Sequence, residues 1–349
     1  MPTPAGTQMS REIAEQPEAI TATLAGLRPL RADIARLARG RATIAFVARG
    51  SSDNAAIYGR YLLETHARRA AAMAAPSVAT IYRAQVDLSD ALVVSVSQSG
   101  ATEEIVQTQA WARACGAATI AVTNDGDSPL AAAADIALVT EAGVEKAVPA
   151  TKTYTTQLTA MAVLATALAD DQTALDGELD RVPDEIAAVI ERRTGIDAAV
   201  DRLASSRETV VSGRGLVLGT ALELALKLEE TCLRPVRGLS YADLRHGPIA
   251  IVDADVAALV VAAGDGPALP GLREVAADLA GRGATTIGVG GDRAFADRCA
   301  LHVAGPDLSE PVAPLGLVVP GQLLVEALAR RLGLDPDAPR GLNKVTQTD

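Results

Sequence analysis

Two groups of residues in this chain have types and spacing that could do chemistry. The first is Ser97, Gln98, Ser99 and, beyond Gly100 and Ala101, Thr102. Small hydroxyl and amide side chains around one glycine, at the start of a helix-like stretch, offer backbone N–H groups and O–H donors to an anion such as phosphate. A simple capped strand end is the other reading, because Ser and Thr are common first residues of helices. The second group is Glu223, Lys227 and Glu230, which fall at i, i+4 and i+7 and so share one face of a helix. An exposed ion-paired face is the ordinary reading of that pattern. The flanking Leu222, Leu224, Ala225, Leu226 and Leu228 make the helix apolar almost all round, which favours a partly buried face and proton-transfer chemistry.

The elements that must position these groups follow from an internal repeat. TIAFVARGSSDNAAIYGRYLLE from Thr43 matches TVVSGRGLVLGTALELALKLEE from Thr209, each reading as strand, Arg-Gly turn and helix. ALVVSVSQSG from Ala91 matches AALVVAAGDG from Ala257, and GAATIAVTND from Gly116 matches GATTIGVGGD from Gly283. Short apolar runs alternating with helical segments predict an α/β fold: two tandem domains, each a parallel sheet with helices on both faces. Ligands in such folds sit at the carboxyl ends of the strands. The expected organisation is a helical segment over 1–40, a first domain over 41–168, connecting helices over 169–204, a second domain over 205–330 and an extended tail over 331–349. The two copies have diverged. Ala263, Gly264, Asp265 and Gly266 replace Ser97, Gln98, Ser99 and Gly100, so only the first copy retains the hydroxyls suited to phosphate. Glu223, Lys227 and Glu230 stand against Tyr58, Leu62 and Thr65, so the ionisable groups have gathered in the second. One site drawing on both copies is the expectation, with an anion anchor from the first and proton-transfer groups from the second.

Composition narrows the class further. The 349 residues are 49% hydrophobic and carry a formal charge of -11, which supports a large core and argues against a nucleic-acid surface. Three cysteines without motif spacing point to reduced thiols and a cytoplasmic location. His66, His246 and His302 are far apart with no ligand spacing, so no metal is expected. The opening residues lack a cationic and apolar leader, so no signal peptide is expected, and TTQLTAMAVLATALA reads as a buried helix rather than a membrane span.

Six blocks in order, MSREIAEQPEAI, SQSGAT, VPATKTYTTQL, ALELALKLEE, LRHGPIAIVD and DAPRGLNK, give the chain its resemblance to the sugar isomerase (SIS) family. It resembles in particular the isomerase half of glucosamine-6-phosphate synthase and stand-alone glucosamine-6-phosphate deaminases. That resemblance implies two SIS domains of flavodoxin-like fold, a sugar-phosphate substrate, a homodimer, and no cofactor, nucleic acid or membrane partner. It implies that Ser97, Gln98, Ser99 and Thr102 cradle the phosphate and that Gly50, Ser51, Ser52 and Val148 line the sugar. Glu230 matches the base that moves a proton between C1 and C2, supported by Lys227 and Glu223. His246 matches the ring-opening histidine, which in the synthase reaches across from the neighbouring subunit. Lys344 matches a lysine able to form a Schiff base with a ketose. The chain departs from the synthase pattern at Arg49, where the synthase has Cys, and in a longer segment over 141–151 that is closer to deaminases and deglycases. No cysteine precedes Cys115, so no glutaminase domain is expected. Conversion of glucosamine 6-phosphate and water to fructose 6-phosphate and ammonia is the expected reaction. A galactosamine-6-phosphate deaminase, a fructosyl-amino-acid-phosphate deglycase, another aldose-ketose isomerase and a sugar-phosphate sensor are the alternatives.

Overall fold

A computed structural model of the protein describes residues 7–171 and 173–344, and the side chains of residues 173 and 174 are left aside. The helical start expected over 1–40 and the tail expected over 331–349 therefore lie partly outside the described residues. Two compact units form. The first takes Glu18–Glu145 and Lys152–Gly177, and the second takes the described residues through Pro17 with Lys146–Thr151 and Glu178–Lys344.

The strands β1 Thr43–Val47, β2 Ala71–Met73, β3 Ala91–Val96, β4 Ala118–Thr123 and β5 Ile136–Val139 make one sheet in the order β2-β1-β3-β4-β5. The strands β6 Glu208–Gly213, β7 Val236–Ser240, β8 Val256–Ala262, β9 Thr285–Gly290 and β10 Leu301–Val303 make the other in the order β10-β9-β8-β6-β7. Every pairing is parallel, and Thr43 lies opposite Ala91 in one sheet as Thr209 lies opposite Ala257 in the other. Both sheets thus have the flavodoxin-like 2-1-3-4-5 order, and the repeat read from sequence is a repeat of fold. β3, β4 and β8 are buried at every residue, which is why they read as unbroken apolar runs rather than alternating ones.

In the first unit the helix Lys152–Leu168 is buried along nearly its whole length and packs on the helix Ser51–Thr65. Gly59 allows the approach, since a Cβ there would stand 2.6 Å from Met161 Sδ. The segment expected to connect the domains forms the helices Thr173–Arg192 and Ile196–Ser205. Ile196, Ala199, Val200 and Leu203 are the buried residues of the latter, at the spacing of one helix face, and it packs on the helix Ala313–Arg331.

The diverged turn after β8 is closed by an acid. Glu310 N–H donates to Asp265 Oδ1 at 2.7 Å, and Gly266, at φ 91°, leaves room for the Glu310 side chain, since a Cβ there would meet its Oε2 at 2.2 Å. Burial, and then the neighbouring Asp265, push the Glu310 carboxyl up from 4.5 to about 7. Folding therefore retains a proton that the unfolded chain gives up, so this stabilisation is complete below pH 4.5 and is lost as pH rises through about 7. The difference in Tm between about pH 5 and about pH 8 is expected to shrink in Glu310→Gln. Identical pH slopes for the two proteins would contradict it.

Candidate active site

In the first unit the turn after β3 is built to present donors. Its carbonyls are occupied: Gln98 C=O accepts Asn124 N–H at 3.0 Å, and Gly100 C=O accepts Leu130 N–H at 3.1 Å. Among the described residues the backbone N–H groups of Gln98, Ser99 and Thr102 have no hydrogen-bond partner. Gly100 turns the chain at φ 60°, and a Cβ there would lie 2.1 Å from Ser128 Oγ, so only glycine fits. Ser97 Oγ and Thr102 Oγ1 stand 3.4 Å apart, and Ser99 Oγ accepts Ala101 N–H at 3.2 Å. Thr102 occupies the cap position of the helix Glu103–Ala114, yet its side chain makes no capping bond. The capped-turn reading therefore does not account for that hydroxyl, and the helix start adds its partial positive charge.

Beside this turn, Arg49 Nε and Nη2 reach the two carboxylate oxygens of buried Glu104, each at 2.9 Å. The pair neutralises an acid in the first turn of the helix and ties it to the Gly50-Ser51-Ser52 turn. Burial pushes the Asp53 carboxyl up, and Arg49 acts against that shift. Gly50 lies at φ 56° before the helix Ser51–Thr65, and Ser52 Oγ accepts Gln157 Nε2 at 3.0 Å. Glu104 was not singled out from sequence. An acid two residues beyond Thr102, in the first turn of the helix, was the available signal.

In the second unit the helix Leu218–Cys232 carries the ionisable cluster. Lys227 Nζ donates to Glu230 Oε2 and lies 3.7 Å from Glu223 Oε1. Side-chain exposure is 3% for Lys227, 0% for Glu223 and 26% for Glu230, so the cluster is internal and only Glu230 opens toward solvent. This rules out the exposed ion-paired face that the charge pattern alone allows. Glu229, next in sequence, has its carboxyl pushed up by burial against an opposing bond from Val236, with Glu230 adding to the rise.

Two further residues come together in the same unit. Lys344 Nζ donates to Ala147 C=O at 2.7 Å, and the adjoining Val148 N–H donates to Asp337 C=O at 2.8 Å. His246 follows the helix Tyr241–Arg245 and precedes Gly247 at φ 130°. Its side chain is exposed and has no hydrogen-bond partner among the described residues. No group of His, Cys, Asp and Glu able to hold a metal occurs among the described residues, and none of the described helices is long and apolar enough to cross a membrane.

The first turn presents hydrogen-bond donors at a helix start, and the second helix buries an acid and amine cluster. A SIS domain matches residues 37–167. The isomerizing glutamine–fructose-6-phosphate aminotransferase of Thermococcus kodakarensis is 34% identical over 347 residues, covering 96% of this chain and 57% of the relative. The chain thus spans little more than half the length of that curated relative. A candidate phosphosugar isomerase from Silicibacter pomeroyi DSS-3 is 35% identical with a TM-score of 0.83, covering 95% of this chain and 100% of the other. The C-terminal domain of glucosamine-fructose-6-phosphate aminotransferase from Francisella tularensis is 28% identical with a TM-score of 0.87, covering 96% and 99%.

Proposed function

The chain belongs to the SIS-domain family of phosphosugar isomerases and deaminases, and from that premise we propose that it converts glucosamine 6-phosphate and water to fructose 6-phosphate and ammonia. The observation that carries this reading is the buried Glu223, Lys227 and Glu230 cluster with one carboxylate open to solvent. A carboxylate held by a buried amine is a fixed base, and a fixed base can take a proton from one carbon and return it to the next.

Ser97, Gln98, Ser99 and Thr102 hold the phosphate, while Gly50, Ser51, Ser52 and Val148 line the sugar. His246 assists ring opening, and its exposed position favours service in the site of a partner subunit in a homodimer. Glu230 then removes the C2 proton of the open-chain aldehyde while O1 takes up a proton, giving an enolamine. It returns the proton to C1 as the amine gives one up, leaving a C1 hydroxyl and a C=N bond at C2. Water adds across that bond, its oxygen to C2 and one proton to nitrogen. The C–N bond then breaks as the new hydroxyl passes its proton to nitrogen, releasing ammonia and leaving the C2 carbonyl. Lys344 stands at the reacting carbons as a donor or an amine nucleophile. The deaminase direction is favoured over synthase-like handling by Arg49, here locked to Glu104 beside the turn, and by the 141–151 segment.

Incubation with glucosamine 6-phosphate is expected to release ammonia and fructose 6-phosphate in equal amounts. Aldose-ketose conversion of an unaminated sugar phosphate, without ammonia from any hexosamine phosphate, would replace the deaminase with a plain isomerase. Binding without turnover of either kind would overturn the enzyme reading.

A further inference from the structure

The mechanism leaves the buried acid Glu12 unused. Glu12, on the helix Gln8–Ala14, is fully buried. A carboxylate in that position must be met by hydrogen-bond donors, because burial otherwise penalises its charge. The backbone donors come from the segment that precedes Val148, and a side-chain amide comes from the same helix. Lys146 N–H donates to Glu12 Oε1, Ala147 N–H faces Oε1 at 3.4 Å and Oε2 at 3.2 Å, and Gln8 Nε2 reaches Oε1 at 2.9 Å.

Ala147 is therefore gripped on both sides. Its N–H points to Glu12, its C=O receives the Lys344 amine, and the next N–H, that of Val148, is taken by Asp337 C=O. The ring closes through the Asp337 carboxylate, which accepts Gln8 N–H at 2.8 Å and Met9 N–H at 2.7 Å at the start of the Glu12 helix. The Ala147 N–H contacts are long. The bonds of Lys146 N–H, the Lys344 amine and the Asp337 carboxylate are short charge-assisted ones, and such directional bonds set the position of a peptide rather than merely covering it.

We propose that Glu12 is a positioning residue for the reaction: by fixing the 146–147 peptide it holds the carbonyl on which the Lys344 amine rests and the backbone of Val148. This rests on the reading of Lys344 and Val148 as substrate-facing groups. Among the described residues its hydrogen-bond partners lie in the 146–147 peptide and its own helix, so the effect is expected at the reacting end of the substrate. A carboxylate is suited to the task because one side chain can accept two successive backbone N–H groups and a side-chain amide together.

The test compares wild type, Glu12→Gln and Glu12→Ala in the full chain, with unfolding midpoints as the check on folding. Reductive methylation followed by peptide mass spectrometry reports the reactivity of the Lys344 amine without any substrate. Ammonia-release kinetics report kcat and KM, and competition by inorganic phosphate reports the turn. In both variants Lys344 is expected to methylate several-fold faster, kcat to fall by about 10- to 100-fold, and inhibition by phosphate to stay within about twofold. Glu12→Gln is nearly isosteric and keeps the test valid if Glu12→Ala does not fold. Unchanged methylation of Lys344 in Glu12→Gln overturns the inference whatever the activity. Faster methylation with unchanged turnover overturns it as a statement about the reaction and removes Lys344 from catalysis. Absence of ammonia release from wild type, with Lys344 still released by the variants, defeats the proposed function and leaves the anchoring of Lys344 supported.

Discussion

Glu230→Gln is expected to lower kcat for ammonia release by about 10²- to 10⁴-fold, the usual contribution of a positioned general base, with little change in KM. The amide keeps the shape of the side chain and can still meet Lys227, but it cannot carry a proton from C2 to C1. Ser99→Ala should behave oppositely, raising KM for the sugar phosphate more than it lowers kcat, since it removes a donor from the anion-binding turn and leaves the base intact. Steady-state kinetics on the two single variants decide the matter. Full activity in Glu230→Gln removes the helix from the mechanism.

Lys227→Met is expected to destabilise the fold by about 3–5 kcal/mol, as loss of one member of a buried ion pair does. Lys227 and Glu223 are both almost wholly buried, so screening by water does little to soften the change. Removing the amine takes away the cation 3.7 Å from the buried Glu223 carboxylate, and loss of that opposite charge is the dominant cost. Urea unfolding measures the shift. A second variant, Lys227→Met with Glu223→Gln, removes the stranded charge and should recover part of the loss. If the double variant is no more stable than the single one, the charge is not the cause. The same cluster thus anchors the helix Leu218–Cys232 and holds the Glu230 carboxylate, the base of the proposed function.

The repeat was legible because β-sheet burial leaves a mark in residue types. Strands covered on both faces, such as β3 and β8, must be apolar at every position, so they stand out as runs and can be matched between copies. The common face of Glu223, Lys227 and Glu230 was legible for a similar reason, since 3.6 residues per turn follows from the backbone alone. Its burial was not, because nothing in the order of charges along a helix records what packs against them. Lys344 and Val148 were recognisable as members of quoted blocks, but their junction at Ala147 was not. That junction is made by backbone N–H and C=O groups, which every residue but proline supplies equally, so the side-chain pattern carries no trace of it.

By itself the sequence determined the fold class, the doubling of that fold, the loss of hydroxyls from the second turn and the helical spacing of the acid and amine groups. These are properties of local chain geometry and of apolar burial, both of which are written in residue type. Tertiary structure alone decided that the Thr102 hydroxyl is not used as a cap, that Arg49 locks onto Glu104, that only Glu230 of its cluster meets solvent, and that Glu12 grips the peptide bearing the Lys344 contact. Each of those depends on which groups, distant along the chain, meet in space, and on how far water is excluded where they meet.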